Sequence, residues 1–103
     1  MNQCIAERTL MFCPKGGGVR KPFTVQILAP SEVKVGEVAF AFDKGTAQCT
    51  VHFVGLPGFS AELVYGADSL QALQLAVDVE PLLRRVSKKY DLFFPSGERY
   101  FEE

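Results

Sequence analysis

The single histidine of the chain, His52, stands three positions after Cys49 in the stretch CTVHFV. A thiolate and an imidazole at such a spacing hold zinc, or act as nucleophile and base, when both side chains reach one point. Strand geometry works against that here. An odd separation sends the two side chains to opposite faces, Cys49 with Val51 and Phe53 toward a core and His52 with Thr50 away from it. No metal site and no Cys–His hydrolase is therefore expected. Cys4 and Cys13 lie on an apolar stretch and read as small core or edge residues, because a buried thiol behaves as a hydrophobe.

Two basic clusters invite a different chemistry. PKGGGVRK gathers Lys15, Arg20 and Lys21 around three glycines, but it lacks the GxxxxGK[ST] pattern and the helix that follows it in a phosphate loop. A connection between strands is expected there. Arg84, Arg85, Lys88 and Lys89 form a weak basic patch that reads as the solvated face of a helix, flanked by Asp78, Glu80, Asp91, Glu102 and Glu103. Glu7, Glu37, Asp43, Glu62, Asp68 and Asp78 are scattered and show no pairing that points to acid–base catalysis. No catalytic residue and no cofactor is assigned.

Composition narrows the partners. The 103 residues are 48% hydrophobic and 22% charged with a net charge of −1, which fits one globular domain over residues 1–103 and gives no general attraction to nucleic acid. Three cysteines, an odd count, without a basic start and apolar leader, point to a reduced, cytoplasmic setting. No stretch approaches the run of about eighteen apolar residues that a membrane helix needs.

The elements that must position these residues follow from periodicity. Strands are expected at 4–13, at 22–28, where Phe23, Val25 and Ile27 alternate with Thr24 and Gln26, and at 37–42 paired as a hairpin with 47–54. Gly45 suits the positive φ that closes such a loop. AELVY adds a short strand before a helix that starts near Asp68, whose side chain caps the first turn while Gln71 reaches back. At 100° per residue, Ala72, Leu75, Ala76, Val79, Leu82, Leu83, Val86 and Tyr90 share one face, with a kink or restart at Pro81. In the tail, LFF forms a last strand, PSG turns, and Tyr100 and Phe101 fold back. The expectation is an α+β domain, an antiparallel sheet of four to six strands packed against one long helix kinked at Pro81.

VYGADSLQALQLAV, preceded by CTVHFVGLPG and followed by LFFP, resembles a family of small uncharacterised bacterial proteins that pair an RTL-F strand, a GL after a central hairpin, and a YG-DSLQAL-LA helix. The matching residues are Arg8 to Leu10 with Phe12, Gly55 with Leu56, and Tyr65 to Leu73, and Pro81 departs from the pattern. The resemblance implies a bacterial source and a compact α+β domain, and it brings no catalytic residue or ligand.

Function is read from what the pattern leaves over. Leu70, Leu73 and Val77 lie off the main apolar stripe, where either the domain itself covers them, with the C-terminal tail as a candidate cover, or they face a partner; with Phe93, Phe94, Tyr100 and Phe101 they form a candidate interaction surface. The expected function is a non-catalytic protein-interaction module, of accessory, regulatory or immunity type, acting on an unidentified protein or as a homodimer. The alternative is a small-ligand binder or modest enzyme with a cleft between helix and sheet near GLPGF and Tyr65. Its mark would be a buried carboxylate or an inward His52.

Overall fold

The computed structural model describes residues 3–34 and 45–101. The expected strand at 37–42, and the hairpin built on it, lie outside the described residues. The strands are β1 (Cys4–Pro14), β2 (Lys21–Leu28), β3 (Ser31–Glu32), β4 (Ala47–Val54), β5 (Ala61–Gly66) and β6 (Tyr90–Phe93), with helices α1 (Ser69–Val77) and α2 (Glu80–Val86) between β5 and β6.

The strands form one antiparallel sheet in the order β3-β4-β2-β1-β6, with β5 also paired to β4. Val51 pairs with Ile27 of β2 and Glu62 of β5, so those strands flank β4 on opposite edges. Ala47 pairs with Glu32 and Gly66 in the same way, which makes β3 a short continuation of the β2 side.

Alternation builds the core from this register. Phe23, Val25 and Ile27 of β2 and Ala47, Cys49, Val51 and Phe53 of β4 are buried on one face, with Leu10 and Phe12 of β1 beside them. The helices close that face through Ala72, Ala76, Val79, Leu83 and Val86. α1 packs on β4 and β5. It comes so close that a Cβ on Gly66 would lie 2.4 Å from the backbone nitrogen of Ala72. The opposite face carries Thr9, Thr24, Gln26, Thr50 and His52, none of them buried, and Thr9 and Thr24 share a hydrogen bond of 3.2 Å.

The expected single long helix is absent. Two short helices of nine and seven residues replace it, and the break comes before Pro81 rather than at it. Asp78 has φ −80° and ψ 77°, the geometry of an inverse γ-turn, and the Val79 N–H donates to the Val77 carbonyl at 2.9 Å. In a continuous helix that carbonyl would need the N–H of residue 81, which proline lacks. Pro81 instead sits in the first turn of α2, where an N–H has no helical partner anyway. The apolar stripe runs across the break because both helices face one core. Leu75 does not follow it, being 51% exposed.

The start of α1 is capped by Asp68, whose Oδ1 accepts from the Gln71 N–H at 2.8 Å. Gln71 reaches back to accept from the Ala67 N–H at 2.6 Å, one residue before the cap. The tail folds onto β6: the Phe94 N–H donates to the Glu98 carbonyl at 2.8 Å and the Tyr100 N–H to the Leu92 carbonyl at 3.0 Å.

Candidate functional site

A cleft opens where the helices stop covering the core face of the sheet. Ala6 pairs with Ile27 and Arg8 with Val25, so the first half of β1 points Ala6 and Arg8 to the same side as the buried β2 residues. α1 ends at Val77 without reaching them. The resulting depression, of about 190 Å³, is lined by Ala6, Glu7, Arg8, Val25, Ile27, Val77 and Val79. Its floor is the core itself, since Val25, Ile27 and Val79 are buried residues. Its rim is Val77, 52% exposed.

Arg8 links the cleft to the tail. Its Nη1 donates to the Tyr100 Oη at 2.6 Å, the tyrosine hydroxyl donates to Glu80 Oε1, and the arginine and glutamate lie 3.6 Å apart. Burial pushes the Tyr100 hydroxyl above its usual pKa, the bond to Glu80 and the charge of that carboxylate push the same way, and Arg8 opposes them. The triad thus joins β1, the first residue of α2 and the tail. It is a fastening, with a phenol that stays protonated across the physiological range.

The residues expected to form an interaction surface are divided by the fold. Leu70 is 64% exposed, and with Val77, seven residues later on α1, it leaves apolar surface on one side of the helix. Leu73 is half-buried and packs against the core. Phe93 is buried, because the β6 register places it opposite Met11, where the Arg20 guanidinium covers its ring at 3.6 Å. Tyr100 and Phe101 are half-buried against the core, and their rings meet edge to face with centroids 4.9 Å apart. Phe94 is exposed and its ring lies 4.9 Å from that of Tyr100. Only Val77 lines the cleft, and Tyr100 borders it through Arg8.

The basic patch is divided as well. Arg84 and Lys88 line a shallow groove, whereas Arg85 turns to β5 and donates to Glu62 at 3.0 Å. Lys89 lies over the Tyr90 ring. Cys49 and His52 fall on opposite faces, Cys49 buried and its thiol 3.1 Å from the Leu28 carbonyl. Burial raises the Cys49 pKa. Among the described residues no group of three or more metal-ligating side chains comes together, and no helix is long and apolar enough to cross a membrane.

Compared with known proteins, the chain matches no family model, no curated protein and no solved structure. The resemblance to the YG-DSLQAL-LA proteins therefore rests on the quoted residues alone.

Proposed function

We propose that this protein is a non-catalytic protein-interaction module that seats an apolar side chain of a partner protein in the cleft between the first half of β1 and the end of α1. One observation carries the reading: the buried floor of Val25, Ile27 and Val79 opens outward between Ala6 and the half-exposed Val77. Apolar surface joined to a core gains when a partner side chain removes it from water, by roughly 25 cal/mol per Å². The about 190 Å³ of the cleft matches one such side chain rather than a drug-sized molecule, whose sites run from about 300 Å³ upward. The small-ligand alternative lacks its mark, because His52 lies on the face of the sheet away from the core and no charged side chain is buried among the described residues.

The test is co-purification of the tagged chain from its source organism, with light scattering, in three forms: unaltered, Val77→Glu, and Leu63→Glu on the opposite face of the sheet. A stoichiometric partner, or a second copy, is expected to persist with Leu63→Glu and to be lost with Val77→Glu. Equal retention in both variants contradicts the proposal, as does the absence of any associated protein.

A further inference from the structure

The edge of β1 that faces away from β2 is paired along only part of its length. β6 lies against Met11 to Pro14, and among the described residues nothing pairs with Ala6 to Leu10 on that side. Ala6 to Thr9 are all exposed. The tail shows which backbone groups are left open. The Tyr100 N–H donates to the Leu92 carbonyl and the Phe94 N–H to the Glu98 carbonyl. Leu92 and Phe94 therefore turn toward the tail, and Phe93 between them turns toward β1, so that its partner Met11 faces β6. The β1–β2 register is unbroken from Ala6 to Phe12. Every second residue back from Met11 thus follows it, and Thr9 and Glu7 direct their N–H and C=O groups to the open edge. Pro22, opposite Met11 on β2, fits this alternation because it has no N–H to offer there.

Proline also explains why β6 stops. The next residue turned toward β1 would be Pro95, opposite Thr9, and it lacks the N–H for that rung. The chain turns away instead, with the Gly97 N–H donating to the Phe94 carbonyl at 2.9 Å.

An open edge is a template for one more strand. Charge decides which strand fits. With Met11 taken by β6, the two-fold antiparallel pairings of two copies through Glu7 and Thr9 set either Arg8 against Arg8 or Glu7 against Glu7, and like charges directly opposite repel. A foreign segment with a basic residue opposite Glu7 meets neither repulsion. In such a strand the residue opposite Ala6 faces the helices. Ala6 is small and lines the cleft with Val25, Ile27 and Val77, so an apolar side chain at that position reaches the cleft over it.

We infer that the partner segment docks as an extended strand, antiparallel to β1 and hydrogen-bonded to the backbone of Glu7 and Thr9, with a basic residue opposite Glu7 and an apolar residue opposite Ala6. This rests on the cleft as a docking site and names the form of its occupant.

The test takes short peptides selected against the full chain from a phage-displayed random library and reads their binding by fluorescence anisotropy. Single N-methyl groups are placed at each residue of the tightest peptide in turn. Binding is expected to fall about tenfold or more, from the lost hydrogen bond and the intruding methyl, at alternate positions and to hold between them. Glu7→Pro removes an N–H that β2 does not use and is expected to weaken binding by about the same factor. Glu7→Gln keeps that N–H and should weaken it by no more than about fivefold. Circular dichroism checks the fold of Glu7→Pro, and if it unfolds the N-methyl scan on the unaltered chain decides. The absence of any selected peptide, an N-methyl effect without alternation, or full binding by folded Glu7→Pro overturns the inference. Loss of binding in Val77→Glu without N-methyl alternation keeps the cleft and removes the strand. Alternation that survives Val77→Glu keeps the strand and removes the cleft.

Discussion

Cys49 and Tyr100 illustrate how single residues report on their surroundings. The Cys49 thiol is enclosed by the core and faces the Leu28 carbonyl, so its pKa is raised and thiolate is scarce at neutral pH. A thiol reagent at mildly alkaline pH is expected to modify Cys4 in the folded protein, while Cys13 and Cys49, both buried, react only after denaturant is added. Rapid modification of all three without denaturant would contradict the packing described. Tyr100 titrates in the same sense. A raised folded-state pKa favours the protonated phenol in the fold, so its contribution is fully present below the unfolded tyrosine value near 10 and is lost as pH rises through the higher folded value. Thermal melts should therefore show the unaltered chain losing stability above about pH 10 more steeply than Tyr100→Phe. At pH 7 that variant should be less stable by about 0.5–1.5 kcal/mol, the usual worth of a hydrogen bond.

At the scale of elements, the break between α1 and α2 decides which apolar residues are core and which are surface. Leu83 is fully buried and its replacement by alanine should cost about 2–5 kcal/mol. Val77→Glu, at the exposed end of α1, should change stability by no more than about 0.5 kcal/mol. Chemical denaturation of the two variants checks the contrast. Gly66→Ala tests the seat of α1 on β5, since the added methyl meets helix backbone rather than a side chain that can swing aside. A loss of about 1–3 kcal/mol is expected, as for an overpacked core. The strands at 22–28 and 47–54 were legible because alternation with period two is local, and the observed β2 and β4 carry the same inward residues. The helix was misread for a physical reason. Ala72, Ala76, Val79, Leu83 and Val86 keep a helical period across Asp78 because both helices serve one core. The lost Val77 hydrogen bond, which ends α1, leaves no mark in hydrophobicity.

Across the whole molecule, the cleft was hidden because it is assembled from distant residues. The cleft exists only once the register pairs Ala6 with Ile27 and Arg8 with Val25 and α1 stops short of them. The sequence marked Val77 as lying off the apolar stripe and read the basic clusters as a strand connection and a solvated helix face, but it held no means of separating exposed Val77 from half-buried Leu73, or Arg84 from Arg85. Docking of a partner protein at the cleft is the function proposed for this chain. The most direct measurement is to place a photo-crosslinking residue at position 77, and in a separate chain at position 63, and to irradiate each in cells of the source organism. Docking at the cleft requires a discrete adduct with one protein from position 77 and none from position 63. No adduct from position 77, or the same adducts from both positions, would contradict it.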